Sequence, residues 1–419
     1  MSTMTAGGAA APSAGQEERS VSSIFRGYVE KIRGGDVGAL PAVLGLVVLC
    51  IVFAALRPVF LSEGNFANLL VQGAGVAVIA MGLVFVLLLG EIDLSAGYMA
   101  GVAAAVLATM LAGGWSWPAA TAAALVTGAV TGLLLGTLIA RLGIPSFVVT
   151  LAAFLAFQGI LLIIIGQGGT IPIRNDVIVA IANSNVPPLL GWILWGVGMA
   201  AFAAVTFLGA ARRRQKGLPN DPLPVLLARI GLLALVTGFV VLVLNQNRAR
   251  NPNFATLAGV PVVVPIVVVL LILLSFVLRR TAYGRHVYAV GGNAEAARRA
   301  GINVAMIRTS VFIIGSTLAA IGGIILASRL NSVSPGTGGS NTLLYAVGAA
   351  VIGGTSLFGG KGRVVDAILG GAVIAVIDNG MGLLGASSGV KFVVTGLVLL
   401  VAASVDALSR RRAAAAGRG

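Results

Sequence analysis

The chain has 419 residues, of which 58% are hydrophobic and only 10% charged, with 58 glycines. That is too little polar surface to cover a water-soluble globule, so the composition leaves a polytopic membrane protein. The formal charge of +15 does not point to nucleic acid, because aromatic content is low and no basic stripe alternates with aromatic residues. In a membrane chain positive charge mostly reports orientation.

Residues 1–38 read as a cytoplasmic N-terminal tail. Arg19, Arg26, Lys31 and Arg33 balance Glu17, Glu18, Glu30 and Asp36, and the first sixteen residues have the Ala, Gly, Ser and Thr bias of disordered chain. The first apolar run starts near Ala39 with no small-residue cleavage pattern soon after it, so no signal peptide is expected. The single cysteine, Cys50, lies in that run and can form no internal disulfide.

Crossing the hydrocarbon takes about 20 apolar residues. Spans are therefore predicted over 39–57, 68–90, 96–112, 117–140, 145–166, 189–210, 223–245, 259–279, 305–327, 343–357, 364–385 and 390–407. The fold class expected is an all-α polytopic membrane protein with about 10–12 transmembrane helices, some broken or re-entrant. The run 343–357 is short and ends in GGTSLFGGKG, the pattern of a half-helix followed by a turn inside the protein. In domain terms, 39–407 is the transmembrane region, 189–245 a helix pair within it, 280–304 a cytoplasmic loop, and 408–419 a basic cytoplasmic tail.

Charge counting sets the orientation. With a cytoplasmic N-terminus, 22 of the 28 Lys and Arg residues fall on the cytoplasmic side, leaving Arg57, Arg174, Arg248, Arg250, Arg329 and Lys391 outside. Both termini are then cytoplasmic. The outer loops 167–188 and 328–342 are short shaped surfaces with little room for a domain.

The longest polar interruption in the apolar half is 284–304, GRHVYAVGGNAEAARRAGINV. Asn293 can cap a short helix with Glu295 in its first turn, Arg298 and Arg299 in its last, and Gly301 as a left-handed stop. A capped surface helix between two spans is suited to receive force from a soluble partner. Gly292, Asn293, Glu295, Arg298, Arg299 and Gly301 are the candidate coupling residues.

A weak internal repeat is visible as well. The run from Asn68 to LLLGEIDLSAG, followed by two spans, has the layout of the run from Asn341 to GGTSLFGGKG, followed by two more. The second turn, 353–363, lacks the GxxxxGK[ST] spacing of a phosphate loop, while Thr355 and Ser356 suit a broken helix whose backbone is satisfied by hydroxyls.

Charges within spans usually mark a transport path. Only Asp378 lies squarely within a span; beside Asn379 it can either line a polar pathway that bonds sugar hydroxyls or tie helices together. Gln72, Phe154, Gln158, Asn341, Asp378 and Asn379 are the candidate pathway residues. Asp93, followed by Leu94 and Ser95, reads as an N-cap of the helix 96–112 with Glu91 shaping the loop, against contact with a cytoplasmic partner. The single histidine, His286, rules out a His-rich metal site and a catalytic triad, and no nucleophile with a base is found, so an enzyme is not expected.

Five motifs carry a resemblance: EIDLSAG, IPSFVVTLAAFLAFQG, TAYGRHVYAVGGNAEAARRAGINV, ASRLNS and AVIGGTSLFGGKGRVVDAILGGAVIAVIDNGMGLLG. In this order, over roughly 65–407, they closely resemble the permease subunit of bacterial ABC-type monosaccharide importers, the ribose and xylose group. The resemblance implies the internal repeat of type II-like importer permeases and a homodimer in the bacterial inner membrane. It implies two further partners, a cytoplasmic ATPase that holds ATP and Mg, and an extracytoplasmic sugar-binding protein. No cofactor is expected on this chain. The full 285–304 motif and the extra spans at 189–245 look more like xylose-type permeases, with arabinose, galactose or another aldose left open. The reading from a different class is a secondary transporter driven by an ion gradient; a third is a structural scaffold that transports nothing.

Overall fold

The computed structural model describes residues 38–218, 220–249 and 256–415. Of the expected tails, 1–37 and 416–419 lie outside these residues, whereas 408–415 continue the last helix. Among them the chain forms α1 (Leu40–Leu56), a 3-10 turn at Pro58–Leu61, α2 (Glu63–Leu88), α3 (Ala96–Ala112), α4 (Trp117–Ala140) and α5 (Ser146–Ile165). After β1 (Ile171–Pro172), α6 (Asp176–Asn183) and β2 (Asn185–Val186) come the long helices α7 (Pro188–Gln215) and α8 (Leu223–Leu244). Then follow β3 (Val260–Pro261), α9 (Val263–Arg280), α10 (Ala282–Gly292), α11 (Ala294–Arg299) and α12 (Val304–Leu330). The chain continues through β4 (Ser332–Val333), α13 (Ser340–Ile352), α14 (Val364–Leu383) and α15 (Ser388–Ala415).

All twelve predicted apolar runs fall on helices. Eight helices are long and apolar enough to cross a membrane, and the other four runs belong to the shorter apolar helices within α1, α3, α13 and α15. At about 1.5 Å per residue the 13 residues of α13 reach about 20 Å, short of a 30 Å hydrocarbon core, as the half-helix reading requires.

Two compact units are distinguished. The smaller, 189–242, is a hairpin of α7 and α8 in which the Trp195 indole N–H donates to Thr237 Oγ1 at 2.9 Å. Trp192 stacks edge-on against Trp195, with ring centroids 5.6 Å apart. None of the most apolar stretch of α7 is buried, the expected state of a helix whose side chains face lipid.

In the larger unit the centre is formed by α2, α12 and α14, whose apolar windows are 72%, 67% and 67% buried against 22% for α5 and 17% for α9. Close packing is set by α4, where Gly128, Gly132 and Gly136 recur every fourth residue and meet α12. A Cβ on Gly132 would lie 2.4 Å from the Phe312 carbonyl oxygen. Lipid supplies no hydrophobic drive between helices, so this approach of backbones is what α4 and α12 gain from glycine. Thr309 Oγ1 crosses the same seam to the Gly136 carbonyl at 3.2 Å.

Short strands strap the loops at one end of this unit. β1 pairs antiparallel with β4, and β2 with β3. The loop 167–188 also contains a helix that the periodicity did not predict: α6, capped by Asn175 Oδ1, which accepts from the Ile178 N–H at 3.2 Å.

Candidate functional site

Two polar assemblies lie at opposite ends of α2 and α14. The first is the segment 281–304, folded by a series of local caps. Thr281 Oγ1 accepts from the Gly284 N–H at 3.2 Å and starts α10. Asn293, extended at φ −157°, breaks the helix and caps α11 by accepting from the Ala296 N–H at 2.9 Å. Glu295 then pairs with Arg298 at 3.1 Å and Arg299 at 3.2 Å. Gly301 turns left-handed at φ +83°, and Asn303 caps α12 through the Met306 N–H at 3.0 Å. The six residues singled out by sequence thus stand together in one angular element, with Glu295 and both arginines exposed.

This element is anchored from beneath. Val287 and Val290 are buried, Tyr283 and Ser310 hydroxyls meet at 2.9 Å, and the Tyr288 hydroxyl donates to the Gly362 carbonyl at 2.7 Å. Gly291 is the tightest point. A Cβ there would lie 1.8 Å from the Leu88 carbonyl oxygen and 3.2 Å from the Gly360 nitrogen. Those two groups are bonded to each other, Gly360 N–H to Leu88 carbonyl, at 2.9 Å. The end of α10 therefore rests on the junction of two turns, one following α2 and one following α13. These are the two turns of the apparent repeat.

Both turns are internally fixed. In the first, Glu91 pairs with Arg308 of α12 at 3.1 Å. Asp93 is buried, and its Oδ1 accepts from the Ser95 N–H at 2.8 Å and the Ser95 hydroxyl at 2.6 Å. The residue at the N-cap position of α3 is Ser95, so Asp93 receives the first turn from two residues further back than the cap position. Burial pushes its carboxyl up, opposed by the hydrogen bonds from Ser95 and Ala96. In the second turn Ser356 Oγ accepts from the Phe358 N–H at 3.0 Å, as expected of a hydroxyl that satisfies broken backbone. Asp366 holds the restart of the helix. It accepts from the Arg363 backbone N–H at 2.7 Å and from its guanidinium at 2.8 and 3.0 Å.

The second assembly lies at the other end of the same helices. Asn65 and Gln72, two turns apart on one face of α2, meet Asp378 and Asn379 of α14. Asn65 and Asn379 exchange side-chain amide bonds at 3.0 and 2.9 Å, and Asn379 reaches Gln72 Oε1 at 3.5 Å. Gln72 also donates to Asp378 Oδ2. Lys391 of α15 pairs with Asp378 Oδ1 at 3.4 Å, both side chains about three-quarters covered. A half-buried carboxylate ringed by amides and an ammonium presents alternating acceptors and donors, the complement of a polyhydroxylated ligand.

Of the six candidate pathway residues, Gln72, Asp378 and Asn379 are brought together here. Phe154 instead meets Tyr98 of α3 edge-on, centroids 4.8 Å apart, with Gln158 half-buried one turn further along α5. Asn341 is exposed in the first turn of α13, and no hydrogen bond joins it to the cluster among the described residues. Sequence reasoning left out Asn65 and Lys391 as members; the seven-residue spacing from Asn65 to Gln72 was the available signal for the first. Among the described residues no three His, Cys, Asp or Glu side chains converge to hold a metal ion.

Residues 65–403 match the family described as the permease component of the branched-chain amino acid transport system. The chain is 38% identical to the xylose transport system permease protein of Escherichia coli (strain K12), over 84% of this chain and 87% of that one. Its identity to the corresponding Haemophilus influenzae protein is 34%, over 87% and 95% of the two chains. Its identity to the ribose import permease protein of Bacillus subtilis (strain 168) is 30%, over 89% and 94%. No solved structure matches the chain. The chain belongs to this family of multi-pass transport permeases, in the ABC-type monosaccharide group that holds the ribose and xylose proteins.

Proposed function

We propose that this chain carries xylose, or a closely related aldose, across the bacterial inner membrane as one half of a homodimer. Sugar is delivered by an extracytoplasmic binding protein, and the energy comes from a cytoplasmic ATPase that binds ATP and Mg. Both termini and the 281–304 segment face the cytoplasm, in accord with the 22 of 28 basic residues on that side. The preference for xylose over ribose follows the higher identity to the xylose permeases.

The observation that carries this reading is the seat of α10 and α11. A rigid, capped and exposed element resting on the backbone of two turns can convert a push by a docked partner into movement of α2 and α14. A 200 Å³ cavity beside α11, lined by Arg298, Ile302 and Arg308 among others, offers a partner side chain a place to enter. At the other end, Gln72, Asp378, Asn379 and Lys391 contact the passing sugar. Transport is alternating access, in which ATP-driven closure of the partner opens the paired bundle toward the loaded binding protein.

Deleting Glu295–Arg299 from the chain, assembled with its ATPase and binding protein, should abolish xylose-stimulated ATP hydrolysis while leaving the membrane domain folded. Unchanged stimulation would sink the coupling role. Sugar uptake driven by an ion gradient in vesicles containing this chain alone would sink the ATP-driven reading altogether.

A further inference from the structure

At the same end as α10 and α11, a second cavity of about 260 Å³ opens between α9, α10 and α14. Its polar lining is Ser275 and Arg279 of α9, Tyr288 of α10 and Arg363 at the start of α14, over a floor of Leu278 and Val364. Asp366 engages two nitrogens of the Arg363 guanidinium. Arg279 has no carboxylate partner among the described residues, so two guanidiniums face one carboxylate and the cavity keeps a surplus positive charge. The amino end of α14 adds to it. The Tyr288 hydroxyl, spent as a donor on Gly362, can still accept, while Ser275 can donate.

Beside the cavity α9 turns an apolar stripe outward. Val269, Ile272 and Phe276 are 62%, 64% and 58% exposed, and their spacing places them in line with Arg279. A basic pocket at the end of a span, continuous with an exposed apolar face, matches an amphiphile with an anionic head. A free anion would have no use for the stripe.

We propose that this cavity holds the headgroup of one anionic phospholipid of the cytoplasmic leaflet. Its phosphate lies between Arg279 and Arg363, and an acyl chain runs along Phe276, Ile272 and Val269. Such a lipid bridges α9, α10 and α14 and fixes α10 on the turn that carries Gly362. The assignment to the cytoplasmic leaflet rests on the orientation argued above; lipid binding itself does not depend on transport.

The test uses the full chain, delipidated in neutral detergent and titrated with phosphatidylglycerol, with phosphatidylcholine of the same acyl chains, and with inorganic phosphate, while native mass spectrometry counts what is bound. One phosphatidylglycerol per chain should bind about tenfold tighter than phosphatidylcholine, which has the same phosphate but brings a choline cation to the surplus positive charge, the order expected for one unit of charge at a basic site of the membrane surface. Arg279→Gln should remove that preference. Arg280→Gln, one residue away and outside the cavity, should keep it. Ser275→Trp, which fills the cavity and keeps both arginines, should also remove it, and decides the matter if Arg279→Gln aggregates. Equal weakening by Arg280→Gln would show diffuse attraction and overturn the proposal, as would equal binding of phosphatidylcholine. Displacement of the lipid by inorganic phosphate would also overturn it, by giving the cavity to a free anion.

Discussion

Gly291→Ala isolates the contact on which the proposed force transmission depends. The added methyl would lie 1.8 Å from the Leu88 carbonyl oxygen, and real Cβ contacts stay beyond 3.0 Å, so α10 and the turn after α2 must part by roughly 1.2 Å. Neither neighbour is a flexible side-chain end: one is the Leu88 carbonyl and the other the Gly360 N–H bonded to it. Overpacking of this kind costs about 1–3 kcal/mol, against which the better helix propensity of alanine returns at most about 1 kcal/mol. Gly292, also a candidate coupling residue by sequence, supplies the packing control, since a Cβ there meets nothing within 4 Å, its φ is not left-handed and a single methyl leaves the exposed charges of α11 in place. A net loss near 1.4 kcal/mol is a tenfold change in the occupancy of the seated geometry. Gly291→Ala should therefore lower xylose-stimulated ATP hydrolysis of the assembled complex by about tenfold, with Gly292→Ala near wild type. Size-exclusion elution and thermal stability of the purified chain would show that both variants fold. Equal stimulation in the two variants would refute the claim that the α10 seat transmits the stroke.

Three further predictions are independent of that seat. Gly132→Leu should lower the melting temperature in detergent by several degrees, as expected of about 1–3 kcal/mol of overpacking where α4 meets the Phe312 carbonyl; an unchanged melting curve would deny that the glycine stripe sets that seam. Asp378→Asn keeps the amide contacts with Gln72 and removes the Lys391 pair, so uptake should show a raised KM for sugar with protein abundance unchanged; an unchanged KM would move the sugar path elsewhere. Asp93 has a carboxyl raised by burial, so its folded form binds more protons than its unfolded form. Stability should therefore fall as pH rises from the ordinary aspartate value through the raised one, then level off. Asp93→Asn should flatten that part of a melting temperature against pH profile, and a slope of the same size in the variant would exclude Asp93 as its source.

What could be read from sequence was local. The cap at Asn293, the acid and base placement around Glu295 and Arg299, and the stop at Gly301 each depend on residues within one or two turns, and all stand where the pattern put them. The twelve apolar runs were legible for the same reason: a span is defined by its own length and hydropathy. Helix α6 was missed although Asn175 and Asp176 are a cap and first-turn acid, because eight residues between prolines carry too little periodicity. Asp93 is not the N-cap that the sequence pattern predicts: Ser95 holds that position, and Asp93 binds the Ser95 N–H and hydroxyl from two residues before it. The polar cluster was half legible. Gln72, Asp378 and Asn379 stand out as polar residues in apolar runs, yet nothing local says that α2 meets α14 across some three hundred residues, and so Phe154, Gln158 and Asn341 were grouped with them while Asn65 and Lys391 were not. Gly291 and Gly292 are indistinguishable in sequence, and only the third dimension shows that one is packed and the other free.

The two assemblies gain meaning from their arrangement on shared helices. Leu88, on which Gly291 rests, is the last residue of α2, and Gln72 lies sixteen residues back along the same continuous helix, about 24 Å away. The turn that carries Gly360 leads through the Arg363–Asp366 clamp into α14, which reaches Asp378 before it ends. α2 and α14 pack against each other and are tied again by Asn65 and Asn379 at the far end. On the proposed coupling, a displacement imposed at the α10 seat would enter both helices and reach the Asp378 cluster as a shift of Gln72 against Asp378. Hydrogen bonds near 3 Å are lost when partners move by about 1 Å. If Asp378 lines the sugar path as proposed, a stroke of that size at the seat would be enough to exchange its contacts with Gln72 and Lys391 for contacts with sugar hydroxyls. Coupling of the proposed kind would be mechanical along two buried helices, in keeping with the few charges in the span interiors and with glycines such as Gly291 where backbones touch.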